Sequence, residues 1–350
     1  MDETTSELEI ADPMVGTYIE GKYRVDRLLG QGGMGKVFKV THLKLSKTFA
    51  LKLMHPAQVT ANPANLVRFE REAEALARIN VVMVTDFGVL SEKNPYIVME
   101  YIEGISLRKL LKTEGQLSER QAINITKQIC AGLHEAHRQE IVHRDLKPEN
   151  IMIQVFDDGE KMARVLDFGI AVMKESSSPT LAEDWSMGTL KYMSPEQMYG
   201  VPLDARSDIF TICLMVYEML TGTVPIAMMG KVLPLCDLRP SITATLGEII
   251  HRGISLEPSA RQRTVLELKR ELETVEQETM FQGASDLAPA KAQNQNRLTG
   301  AQSVAPHVRN PRATGDLDAL YTNQHQAGSN ITREVLTLSL LLFCLCLLNL

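Results

Sequence analysis

The chain has 350 residues, 44% hydrophobic and 23% charged, a globular balance that excludes wholesale disorder and allows two domains plus a tail. Lys and Arg total 37 against 43 Asp and Glu, so the net charge is -6 and no nucleic-acid partner is expected, because phosphate backbones call for a basic surface. Five sparse cysteines, Cys130, Cys213, Cys236, Cys344 and Cys346, lack zinc-ligand spacing and fit a reducing compartment.

Residues 1–17 carry Asp2, Glu3, Glu7, Glu9 and Asp12 but no Lys or Arg. A secretory signal needs a basic start and an apolar run, so a loose acidic arm on the cytoplasmic side is expected here. The folded part is expected to begin at residue 18, where Tyr23, Val25 and Arg27 alternate as a strand.

The segment LGQGGMGKV follows, with Gly30, Gly32 and Gly35 in the pattern G-x-G-x-x-G. A dinucleotide fold would place a helix directly after it, yet Val37, Phe38 and Val40 read as a strand. A P-loop would need a hydroxyl where Val37 stands. A glycine-rich hairpin between two strands remains, in which backbone amides approach phosphate oxygens with no Cβ in the way.

The next strand, TFALKLM, puts Ala50 and Lys52 on one face, suited to a purine and its phosphates. The stretch RFEREAEALARI has helical spacing. Its Glu72 lies on the apolar side, where a carboxylate is costly unless paired, and Lys52 is the expected partner.

Further on stand HRDLKPEN at 143–150, DFG at 167–169 and SPE at 194–196. With GGMGKV, YIVMEYIEG and GTLKYMSPEQM, these motifs resemble the eukaryotic-like (Hanks-type) serine/threonine protein kinases of bacteria, over roughly residues 18–274. The resemblance implies an α+β fold with two lobes. A β-rich N-lobe would span about 18–102 and a mainly helical C-lobe about 103–278.

It also implies the site. Asp145 would accept the proton of an attacking hydroxyl and Lys147 would reach the γ-phosphate. Lys52 would grip the α- and β-phosphates while paired to Glu72. Asn150 and Asp167 would hold Mg2+. ATP would lie under Leu29, Gly30, Gly32, Gly35 and Val37. Ala50 and Met152 would sandwich its base, with Met99 as gatekeeper and Glu100 to Ile102 as hinge.

Arg144, directly before Asp145, resembles kinases switched by loop phosphorylation, with Thr180 or the serines at 176–178 as expected autophosphorylation sites. A homodimer would serve that autophosphorylation. Thr189 would contact Asp145 and Lys147. Asp208 resembles the aspartate that caps the catalytic loop, and Arg261 the arginine that pairs with Glu196. The resemblance implies ATP and Ser/Thr-bearing proteins as partners.

Several positions depart from the family pattern. About three residues are missing after Asn80, and about a dozen between Pro225 and the next element. Cys213 replaces a usual glycine, and Leu190 a usual proline. The deletions motivate an alternative, a pseudokinase scaffold that binds nucleotide without transfer. A small-molecule kinase is disfavoured by the peptide platform GTLKYMSPE.

Residues 279–332 are rich in Gln, Asn, Ala, Pro and Gly and read as a disordered linker. Residues 333–350 end in VLTLSLLLFCLCLLNL. Sixteen helical residues span about 24 Å, short of the ~30 Å hydrocarbon core. A buried or partner-bound helix and a C-terminal membrane anchor both remain open for this segment.

Overall fold

The computed structural model describes residues 12–32, 35–55, 84–90, 94–166, 190–225 and 232–285. The N-terminal part is a six-stranded antiparallel sheet of β1 (Tyr18–Ile19), β2 (Tyr23–Gly32), β3 (Gly35–His42), β4 (Lys47–Met54), β5 (Val84–Leu90) and β6 (Asn94–Glu100). Its spatial order is β1-β2-β3-β4-β6-β5. Strand β4 is buried on both faces, which explains its near-continuous apolar run. Phe49, Leu51 and Leu53 point to an outer core with Tyr23, Val25, Phe38, Val40, Tyr96 and Val98. Ala50 and Met54 point the other way, as the period of two requires.

The alternation expected through Arg27 breaks. Val25 pairs with Val40 but Arg27 pairs with Lys39, so Asp26 is an extra residue in a bulge. The bulge shifts Arg27 and Leu28 by one position, before a second irregularity between Leu28 and Gly30. Arg27 is therefore exposed, and Leu28 packs against the outer core instead. Residues 12–17, the end of the expected acidic arm, lie against this sheet. Gly16 N–H donates to Val25 O at 2.8 Å, Val25 N–H donates to Thr17 O at 2.9 Å, and Met14 and Val15 pack on the outer core.

The second part is mainly helical: α1 (Leu107–Glu114), α2 (Glu119–His137), α3 (Pro195–Met198), α4 (Ala205–Thr221), α5 (Leu235–Leu238), α6 (Ala244–Gly253) and α7 (Val265–Ser285). Sequence sets the helix starts. Ser106 Oγ caps α1 by accepting Lys109 N–H, and Ser118 with Gln121 forms a capping box on α2. Helix α4 is buried on all sides from Ser207 to Leu220, so it shows little amphipathic pattern and forms the axis of the lobe. Cys130 on α2 and Cys213 on α4 sit in this core. Burial pushes the Cys130 thiol up to about 12 and raises that of Cys213 as well.

A small sheet of β7 (Ile105–Ser106), β8 (Ile151–Val155) and β9 (Lys161–Val165) carries the loop between α2 and β8. Among the described residues no helix is long and apolar enough to cross a membrane. The linker at 279–332 falls largely, and the segment 333–350 wholly, outside the described residues.

Candidate active site

The glycine hairpin runs as β2 and β3, with Gly30 opposite Val37 and Gly32 opposite Gly35. The glycines differ in what they require. Gly35 has φ +142°, and a Cβ there would strike the backbone oxygen of Leu53, so packing alone demands glycine. A Cβ on Gly30 or Gly32 would meet no atom of the described residues within 4 Å. Among the described residues nothing fills the space over those two. Leu29 is exposed beside them.

Beneath the hairpin, Ala50, Met54, Ile97, Met99 and Ile102 form one apolar cluster, with Val37, Tyr101, Met152 and Leu166 packed on it. Five expected base-pocket residues, Val37, Ala50, Met99, Ile102 and Met152, thus come together from four segments. Lys52 stands between Ala50 and Met54 on the same face of β4, opposite Val37 on β3 and Ile97 on β6. It is only 6% exposed. Glu100 ends β6, with its carboxylate 3.9 Å from Arg164.

The loop from His143 to Asn150 is held from below by Asp208, which is 2% exposed. Its carboxylate accepts His143 N–H at 2.9 Å, Arg144 N–H at 3.3 Å and His137 Nε2–H at 2.7 Å. Arg144 adopts φ +66°, a costly left-handed conformation for a non-glycine residue. Its carbonyl accepts Gln197 Nε2–H at 2.6 Å, so α3 also clamps this turn. His143 is fully buried: its Nε2–H donates to Leu166 O at 2.8 Å, and its Nδ1 accepts Asp145 N–H at 3.3 Å.

Three polar side chains converge above that base. Lys147 Nζ lies 2.8 and 3.0 Å from the two Asp145 carboxylate oxygens. Asn150 Nδ2–H donates to Asp145 O at 2.8 Å and to Asp145 Oδ2 at 3.2 Å. The amide nitrogen of Asn150 is thereby committed to Asp145. Leu166 N–H donates to Asn150 O at 2.8 Å, which ties β9 to the end of this loop. Glu72, Asp167, Thr180 and Thr189 lie outside the described residues.

Two networks brace the site, the first of them buried. Arg261 donates to both Glu196 carboxylate oxygens, at 2.7 and 3.0 Å, and Ser207 Oγ–H donates at 2.7 Å. Burial works to raise the Glu196 carboxyl, but the Arg261 and Ser207 hydrogen bonds prevail and hold it below its ordinary value. The other network escaped the sequence reading. Arg108 donates to Glu149 Oε1 at 2.8 Å, to Glu218 Oε1 at 2.6 Å and to Tyr192 OH, which itself donates to Glu218 Oε2 at 2.5 Å. These four residues come from four segments, and no local pattern pairs them.

The family model described as "Protein kinase domain" matches residues 23–244, and the chain belongs to that family. Among its relatives, serine/threonine-protein kinase pkn3 of Myxococcus xanthus is 34% identical, covering 92% of this chain and 61% of its own length. Serine/threonine-protein kinase PknB of Mycobacterium tuberculosis is 31% identical, covering 85% of this chain and 49% of its own. The chain thus spans about half to three fifths of these relatives. A crystal structure of the Mycobacterium tuberculosis PknI kinase domain superposes with TM-score 0.59 at 26% identity, covering 74% of this chain and 98% of that one.

Proposed function

We propose that this chain is a serine/threonine protein kinase that moves the γ-phosphate of ATP to Ser or Thr hydroxyls of proteins. The convergence of Asp145, Lys147 and Asn150 on one braced loop carries the reading. It favours transfer over the scaffold alternative, because a scaffold has no use for that arrangement.

The substrate hydroxyl attacks the γ-phosphorus, the bond to the β–γ bridging oxygen breaks, and ADP leaves. Asp145 orients the hydroxyl and takes its proton. Lys147 turns from Asp145 toward the γ-phosphate as charge builds there. Lys52, paired with Glu72, holds the α- and β-phosphates beneath the amides of Gly30, Gly32 and Gly35. Val37, Ala50 and Met152 enclose the base, with Leu29, Met99 and the Glu100–Ile102 hinge around it. Asn150 and Asp167 would hold Mg2+, which would supply positive charge against the phosphates.

The catalytic unit is taken as 18–278, in two lobes that meet near residue 102. Arg144 receives a phosphate on Thr180 or its neighbours, placed there by a second copy, and Thr189 supports Asp145 and Lys147. Residues 335–350 serve as a membrane anchor or, in the alternative, as a buried or partner-bound helix. Fractionation of the full chain and of residues 1–330 tests the anchor, and two equally soluble proteins would remove it. For the main reading, radiolabelled ATP with magnesium and a protein substrate should give labelled Ser or Thr. Lys52→Ala and Asp145→Ala should abolish the label, and undiminished transfer by either would sink the proposal.

A further inference from the structure

Asp12 lies outside the residues that match the protein kinase family, which begin at 23. Its side chain is nonetheless only 6% exposed, and its Oδ2 sits 2.6 Å from Lys36 Nζ, on the residue after the last hairpin glycine. Asp12 Oδ1 also accepts Met14 N–H at 3.0 Å, which closes a local turn. Met14 and Val15 then pack on the outer core, and Gly16 and Thr17 bond to Val25 of β2. The segment is thus fastened to both strands of the hairpin, to β2 by its backbone and to β3 by this carboxylate.

Lys36 is turned away from the cleft. Val37 packs into the cleft cluster, so alternation sends Lys36 to the other face, opposite Leu53 of the outer core. Two effects of Asp12 on nucleotide binding therefore oppose each other. Neutralising Lys36 would weaken attraction for phosphates, but that charge acts from the far side of the sheet, where a Debye length of about 8 Å screens it. Fixing the strand end acts directly on the backbone at Gly35. A glycine-rich segment loses much freedom when it is ordered, so any tie that orders it beforehand lowers that cost.

We propose that Asp12 is a positioning residue for nucleotide binding: it holds Lys36 from the outer face and so presets the glycine hairpin for the phosphates. The inference rests on the kinase reading of the same cleft. Titration of the full chain with magnesium and a non-hydrolysable ATP analogue, alongside steady-state kinetics, tests both. Asp12→Asn should raise the Kd and the KM for ATP roughly three- to tenfold, the range of a half-buried ion pair, with kcat and the peptide KM within about twofold.

Lys36→Gln should raise the KM for ATP to a similar extent, and Asp12→Asn with Lys36→Gln no further than either alone, whereas two independent losses of stability would add. An unchanged or lower KM in Asp12→Asn, an equal fall in kcat, or additive effects in the double variant would overturn the proposal. Absence of nucleotide binding by the unaltered chain would instead overturn the kinase reading, and this inference with it.

Discussion

Gly253, at the end of α6, lies directly against Cys213 in the middle of α4, and a Cβ on the glycine would overlap the cysteine Sγ. The cysteine side chain thus occupies the space that a side chain at 253 would need. Gly253→Ala should therefore destabilise the fold by about 1–3 kcal/mol through overpacking. Cys213→Ala in that background should recover part of the loss. Denaturant melts of the four proteins should give a coupling of at least about 0.5 kcal/mol, and additive effects would contradict the packing.

The two kinds of glycine in the hairpin should separate in their effects. Gly35→Ala meets Leu53 O at a positive φ, so it should lower the melting temperature. Gly30→Ala meets no described protein atom, so it should leave stability within about 0.5 kcal/mol and still raise the KM for ATP. A Gly30→Ala protein with unaltered KM would place the phosphates elsewhere.

Asp208 supports a left-handed residue and two backbone amides. Asp208→Ala leaves His143 N–H and Arg144 N–H without this acceptor and removes the partner of His137. A loss of roughly 3 kcal/mol is expected, with activity falling further than stability because Asp145 follows Arg144 directly. Activity retained in a protein that melts early would show that the loop is held by other contacts.

The Glu196–Arg261 pair makes stability depend on acid. The folded carboxyl is held below its ordinary value of 4.5. Its contribution is therefore fully present above that value and is lost as pH falls through the lower, folded one. Glu196→Gln should flatten the slope of stability against pH below about 4.5 while costing stability at neutral pH. An identical acid slope in the variant would remove Glu196 from the linkage.

Much of the site was legible because its motifs are contiguous. HRDLKPEN fixes Asp145, Lys147 and Asn150 within one loop, where backbone geometry forces them together. The period of two placed Ala50 and Lys52 on the cleft side of β4. The reading failed where order is non-local. The bulge at Asp26, which exposes Arg27, has no glycine or proline to announce it. The Arg108 network draws on Glu149, Tyr192 and Glu218, and the pairing of Asp12 with Lys36 crosses 24 positions of chain. Asp12 read as one more charge in an acidic arm, because composition records charge and not its partner.

The buried thiols give the protein an internal clock. Cys130 and Cys213 have no surface and raised thiol values, whereas Cys236 is part-exposed with its Sγ 3.6 Å from Ile242 O. Thiolate is the reactive form, so among the described cysteines an alkylating reagent should label Cys236 early and Cys130 and Cys213 only when the helical core opens. Peptide mapping of the labelled sites would then time the opening of the α2–α4 packing separately from events at the cleft. Nucleotide binding could be read as a delay at Cys130 and Cys213 without a single added probe.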